Sequence, residues 1–107
     1  MPTQSITPIT AKEWLDNNEA ILIDVREPAE FNEMHIAGAH LIPVGTVCKK
    51  ALPEFQHKKI IVHCRLGKRG QTACEKLCFD DPALEIYNIE GGIIAWENAG
   101  FPVEKAK

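Results

Sequence analysis

The sequence has no apolar segment of the roughly 20 residues that a membrane-spanning helix requires, so we expect no membrane contact. Its first residues, Met1 to Ser5, carry neither a basic leader nor an apolar stretch, which predicts no secretory signal and a cytoplasmic location. Internal repeats and low-complexity segments are also missing. What remains is an ordinary globular composition, 45% hydrophobic and 25% charged over 107 residues, which predicts one compact domain spanning residues 1–107.

Positive charge is not in excess, because the formal net charge is −3, and this argues against a general nucleic-acid binder. The basic residues are unevenly placed, since seven of the twelve lie from Lys49 to Arg69, where Glu54 is the only acid. A local basic zone in an acidic protein favours a small anionic substrate over a polyanion. Chance clustering on a solvated surface is the alternative, and charge alone does not decide between the two.

The four cysteines lack the spacing of a metal site, since neither a CxxC motif nor a pair of histidines accompanies them. Cys74 and Cys78 stand four residues apart, which predicts packing on one face of a helix. The chain does not resemble a small secreted disulfide scaffold, so we expect four thiols in a reducing compartment. No metal and no organic cofactor is implied.

Apolar runs alternate with helical patterns along the chain, which predicts an α/β fold around a mainly parallel sheet. The continuous apolar runs at 20–25 and 59–63 are typical of strands buried on both faces. Shorter strands are expected at 39–42 and 84–88. The predicted helices are one opened by a capping box at 10–13, then 28–34, about 46–55, one that follows Gly70 and runs to about 79, and 93–99.

The second buried strand leads directly into Cys64 and a short loop that contains Gly67. In open α/β sheets, ligands bind at the carboxyl ends of the strands. Backbone amides of such a loop, with the dipole of the helix behind it, favour a thiolate and an anion beside it. Arg65, Lys68 and Arg69 add positive charge, so the segment predicts a nucleophilic thiolate beside an anion site.

A general base is harder to find, because His63 directly precedes Cys64 and adjacent strand residues point to opposite faces of a sheet. Where His35, His40 and His57 lie relative to the thiol cannot be read from the sequence. Acyl transfer needs a positioned base and an oxyanion hole. A thiolate that attacks a sulfane sulfur needs neither, so sulfur transfer is the interpretation that fits best.

Three blocks of the sequence resemble a rhodanese domain and together cover nearly the whole chain. They read LIDVREPAEF (22–31) with HIAGAHLIP (35–43), CRLGKR (64–69), and GGIIAW (91–96) with GFPV (100–103). The resemblance implies a rhodanese-like fold, a five-stranded mostly parallel sheet flanked by helices on both faces. It also implies a thiosulfate sulfurtransferase, in which Cys64 takes a sulfane sulfur from thiosulfate or a related donor, releases sulfite, and passes the sulfur to cyanide or a thiol.

On this resemblance Cys64 is the catalytic residue, and the loop that follows it binds the substrate through Arg65, Leu66, Gly67, Lys68 and Arg69. Arg69 is expected to close the loop and face the anion. Asp24 and Arg26 end the first buried strand on the same side of the sheet, where we expect a supporting polar pair that holds the loop or a neighbouring turn. Two positions depart from the family pattern: Met34, where glycine is common, and Gly70, where a serine or an apolar residue is usual.

Two other functions were weighed against this one. Cysteine phosphatases and arsenate reductases require Cys-x5-Arg, whereas Cys64 and Arg69 form Cys-x4-Arg, and the shorter loop suits a single sulfur atom. A sulfur carrier without turnover, or a rhodanese-like module that binds a partner, stays open, although the chain keeps its cysteine and basic loop. The sequence does not decide whether the sulfur donor or acceptor is a protein, or whether Cys48 or His57 modulates the site.

Overall fold

The computed structural model describes residues 4–56 and 58–105, and a five-stranded parallel sheet forms the centre of this part of the chain. The strands are β1 (Ser5–Ile6), β2 (Ala20–Asp24), β3 (Met34–His35), β4 (His40–Leu41), β5 (Lys59–His63), β6 (Ile86–Ile89) and β7 (Glu104–Lys105). The helices are α1 (Pro8–Asp16), α2 (Pro28–Glu33), α3 (Lys68–Asp80) and α4 (Gly92–Asn98), with a 3-10 turn at Lys49–Ala51. None of these helices is long and apolar enough to cross a lipid bilayer.

The sheet runs in the order β1-β6-β5-β2-β4, and every neighbouring pair is parallel. The predicted α/β fold with a five-stranded sheet is therefore confirmed. Strands β3 and β7 form a separate antiparallel ladder, which joins the turn after α2 to the segment that follows α4.

Side chains of the central strands alternate between two apolar layers, because successive strand residues point to opposite faces. Ile23 and Val62 face α3, which covers its side of the sheet with Ala73, Cys74 and Leu77. Leu22 and Ile61 face α1 and α4, which contribute Ala11, Ile93 and Trp96. Asp24 and His63 are register partners at the ends of β2 and β5, so the two strands finish at the same edge of the sheet.

Three of the predicted helices differ from the structure in their limits by more than one residue, and one of these, expected to follow Gly70, begins at Lys68. The first begins at Pro8, because Thr7 is its N-cap and its hydroxyl accepts the Thr10 N–H at 3.2 Å, so a capping box at 10–13 does not form. The helix expected at about 46–55 is reduced to the 3-10 turn Lys49–Ala51. Pro53 explains where the turn ends, because proline forces the residue before it out of the helical region, and Leu52 is extended at φ −66° and ψ 141°. Cys48, directly before the turn, is also extended, at φ −159° and ψ 167°.

Candidate active site

Cys64 lies directly after β5, and its side chain is 1% exposed. Its Sγ accepts a hydrogen bond from the Gly67 N–H at 3.0 Å. Gly67 has φ +114°, a conformation that glycine adopts without steric cost, and it is the residue immediately before α3. The sulfur therefore sits against a backbone donor at the N-terminal end of a 13-residue helix, where the dipole favours negative charge.

The carbonyl groups of the loop are held by the first turn of α4. The Ile93 N–H donates to the Cys64 carbonyl at 2.8 Å, and the Ile94 N–H donates to the Arg65 carbonyl at 3.3 Å. This approach requires glycine at position 92, since a Cβ there would lie 2.4 Å from the carbonyl oxygens of Cys64 and Arg65. The C=O and the N–H of a trans peptide point in opposite directions. Because the carbonyls of Cys64 and Arg65 point toward α4, the N–H groups of Arg65 and Leu66 point away from it.

Asn88 on β6 binds the loop at Gly67, close to the start of α3. Its Nδ2 donates to the Gly67 carbonyl at 2.9 Å, while its Oδ1 is buried without a partner among the described residues. The amide packs against Gly70 so closely that a Cβ at position 70 would lie 2.1 Å from Oδ1. The glycine that departs from the family pattern is therefore the residue that makes room for the Asn88 side chain.

Arg69 is bound by a carboxylate that the sequence analysis did not single out. Its guanidinium makes two parallel contacts with Glu30 on α2, from Nη1 to Oε1 at 2.5 Å and from Nη2 to Oε2 at 2.9 Å. This ion pair lowers the pKa of Glu30 from 4.5 to about 2. The expected role of Arg69 in facing the anion stays a prediction, and its guanidinium is already engaged in this structure.

Asp24 and Arg26 form a buried ion pair, with Nη2 and Oδ2 2.7 Å apart. Arg26 Nη2 also donates to the Met34 carbonyl at 2.6 Å, so the pair holds the turn after α2 and makes no hydrogen bond to the loop. Met34 has an extended backbone at φ −159°, which any residue adopts, so the second departure from the family pattern needs no adjustment.

His63 lies on the opposite side of β5 from the thiol, as the alternation of strand side chains predicts. It is fully buried, and its Nε2 lies 3.6 Å from Asp24 Oδ2 without a hydrogen-bond partner in the described part of the chain. Burial lowers the pKa of His63 below 6.5, although the charge of Asp24 acts in the other direction. His63 is therefore not placed to act as a base for Cys64.

A cavity of about 250 Å³ opens beside the loop. Its wall combines charged and apolar side chains, namely Arg26, Glu30, Glu33, Met34, Arg65, Ile93 and Ile94. Leu66 at the tip of the loop is 66% exposed. This cavity, which Arg65 lines but Cys64 does not, is thus mixed in character, where the sequence suggested a local basic zone.

All four cysteines are free thiols, and only Cys64 lies at the edge of the sheet where the parallel strands β2 and β5 end. Cys74 is buried in the layer under α3, and burial raises the pKa of its thiol to about 12. Cys48 and Cys78 are half-buried. His57 lies outside the described residues, so its relation to the site stays undecided.

Two functional residues were missed because their partners are distant in the sequence. Glu30 belongs to the first family block, where nothing marks it as a partner of a residue 39 positions later. Asn88 sits in a strand pattern, and its only signal was a polar residue in an apolar run. The sequence also did not reveal that the loop carbonyls approach Gly92.

Comparisons with known proteins agree with this geometry. A family model described as a rhodanese-like domain matches residues 7–99. The chain is 34% identical over 104 residues to the uncharacterised protein slr1261 of Synechocystis sp., a match that covers 96% of this chain and 57% of that protein. It is 30% identical over 95 residues to the thiosulfate sulfurtransferase GlpE of Vibrio cholerae, with 88% of each chain covered.

A crystal structure of a rhodanese-related protein from Thermoplasma volcanium has the same architecture, with a TM-score of 0.77 at 31% identity. The match covers 94% of this chain and 97% of that one. The family model extends from the N-cap of α1 to the residue after α4. The family model and this structural match together establish the relationship. The chain belongs to the rhodanese-like family.

Proposed function

We propose that the protein is a sulfurtransferase that uses thiosulfate or a related small anion as donor and carries the sulfur as a persulfide on Cys64. The observation that supports this most directly is the Gly67 N–H on Cys64 Sγ at the start of α3. A backbone N–H at a helix N-terminus is a hydrogen-bond donor suited to a sulfur that carries negative charge. The similarity to GlpE, which is a thiosulfate sulfurtransferase, points to the same donor. The proposal includes a single domain that acts in the cytoplasm without a cofactor.

The reaction takes two steps. The Cys64 thiolate bonds to the outer sulfur of thiosulfate, the sulfur–sulfur bond of the donor breaks, and its electron pair leaves with sulfite. Cyanide or a thiolate then attacks the outer sulfur of the persulfide and restores the Cys64 thiolate. Amides of residues 65–67 would solvate the sulfur in both states, with Arg65 and Lys68 as the cationic groups that attract the donor.

The test is the formation of thiocyanate from thiosulfate and cyanide. Cys64→Ser should abolish it, because no other thiol in the chain lies at this edge of the sheet. Cys74→Ser is the matched control and should retain it, since that thiol lies in the middle of α3, away from the strand end that Cys64 follows. Equal activity in the two variants would contradict the assignment of the site.

Intact-mass measurement separates turnover from storage. After treatment with thiosulfate, we expect one added sulfur that a reductant removes, and that is absent from Cys64→Ser. If that sulfur is loaded but not passed to cyanide or to thiols, the protein is a carrier. If no sulfur is loaded from any donor, sulfur transfer through Cys64 is wrong.

A further inference from the structure

We propose that Glu30 is a specificity-determining residue, which occupies the Arg69 guanidinium and so selects against sulfur donors of higher negative charge. The inference rests on the proposed function, because it concerns which donor the Cys64 site accepts. It predicts a gain of function: removal of the Glu30 charge should improve the use of a dianionic donor.

The Glu30 carboxylate is fixed from two sides. Both of its oxygens contact the Arg69 guanidinium, and Oε1 also accepts the Glu27 N–H at 3.1 Å at the start of α2. The side chains of Arg69 and Glu30 are 35% and 32% exposed, so the pair lies where an incoming solute reaches it. Because the pKa of Glu30 is about 2, the carboxylate stays charged at any pH used for assay.

Carboxylates also lie close to the other basic side chains of the cavity beside the loop. Arg26 is neutralised by Asp24, and Glu33 adds a further carboxylate to the cavity that Arg26 and Arg65 line. The attraction that Arg26 and Arg69 exert on an anion is therefore reduced, and Arg65 and Lys68 carry the rest of it. A dianion that needs Arg69 must compete with a carboxylate already held in a two-point contact, whereas a donor of lower charge gains less from the guanidinium.

Thiosulfate and methanethiosulfonate make a matched pair of donors, because they present the same outer sulfur with charges of −2 and −1. With either donor, the Cys64 thiolate bonds to the outer sulfur and the donor's sulfur–sulfur bond breaks. The electron pair of that bond leaves with sulfite or with methanesulfinate. The measurement is the second-order rate constant for loading Cys64 in a single turnover, followed by intact mass, so that no acceptor enters the comparison.

Glu30→Gln is the informative substitution, because the glutamine oxygen can still accept the Glu27 N–H and keep the start of α2. We expect the rate constant for thiosulfate, divided by that for methanethiosulfonate, to rise about two- to fivefold, the range of an exposed ion pair. The rise should shrink at high salt, which screens exposed charges.

Three further variants make the test specific. Glu33→Gln removes a carboxylate from the same cavity without touching Arg69, and Glu85→Gln removes one from the segment before β6, so both should change the ratio less than Glu30→Gln does. In an Arg69→Gln background, Glu30→Gln should leave the ratio unchanged, because its target is gone.

An unchanged ratio in Glu30→Gln, or an equal rise in Glu33→Gln, would overturn the inference while leaving sulfur transfer intact. Failure of the wild-type protein to load sulfur from either donor would instead contradict the proposed function itself. Cooperative urea unfolding of each variant confirms that the comparison is made on folded protein.

Discussion

Gly70→Ala offers the sharpest test of how the loop is held. Within a helix, alanine is favoured over glycine by about 1 kcal/mol. Here the new Cβ would lie 2.1 Å from Asn88 Oδ1 and 2.9 Å from its Cγ, so the amide has to move. Moving it forfeits the bond from Nδ2 to the Gly67 carbonyl, which contributes about 1 kcal/mol, and overpacking adds about 1–3 kcal/mol. The net expectation is a loss of about 1–3 kcal/mol in the free energy of unfolding.

The assay is urea unfolding of a double-mutant cycle. Asn88→Ala empties the space that the Cβ would enter, so Gly70→Ala in that background should be stabilising by about 1 kcal/mol. The coupling between the two positions is then about 2–4 kcal/mol, which corresponds to a shift of the urea midpoint of about 1 M or more. If Gly70→Ala lowers stability equally in both backgrounds, the proposed contact does not constrain this position and the reasoning is refuted.

Two further predictions concern stability. Gly92→Ala should lower the free energy of unfolding by more than about 3 kcal/mol, since the new Cβ meets backbone carbonyls that cannot rotate away. Gly100→Ala is the control: it has φ +86° but open space around it, so the loss in the same urea assay should be only about 1 kcal/mol. Burial lowers the pKa of His63 in the folded protein, so the His63 side chain binds a proton more readily in the unfolded chain. The free energy of unfolding is therefore retained above pH 6.5, and below that pH it falls by up to about 1.4 kcal/mol per pH unit. Unfolding of the wild-type protein and of His63→Asn at pH 7.5 and 5.5 checks this, and equal pH dependence in the two would contradict it.

The central fold was predictable because its determinants are local. The strands β2 and β5 contain continuous apolar runs of four and three residues, and such runs between turn signals are typical of buried strands. The position of Cys64 followed from the same logic, since the end of a buried parallel strand fixes which edge of the sheet the next residue occupies. The helix predicted at about 46–55 was wrong, and its early end follows from a local effect, that of Pro53 on Leu52.

The parts that could not be predicted depend on contacts between distant segments. Nothing in the sequence around Arg69 reveals that Glu30 will neutralise it, because the approach of α2 to α3 is decided by the whole fold. From the sequence, Gly70 was only a departure from the family pattern, and its role became visible with the position of Asn88 on β6. Sequence patterns report which face a residue occupies, but not which partner it meets there.

The fastening of the loop by Asn88 and by the first turn of α4 has a thermodynamic consequence. When a loop becomes ordered only on binding a ligand, the entropic cost of ordering the loop reduces the net binding free energy. Here the peptide groups next to the thiol are oriented during folding, with their carbonyls engaged at 2.8, 3.3 and 2.9 Å by residues 93, 94 and 88. A ligand of the Cys64 thiol would therefore meet peptide groups that are already oriented, and its binding would carry a smaller entropic cost for ordering this loop.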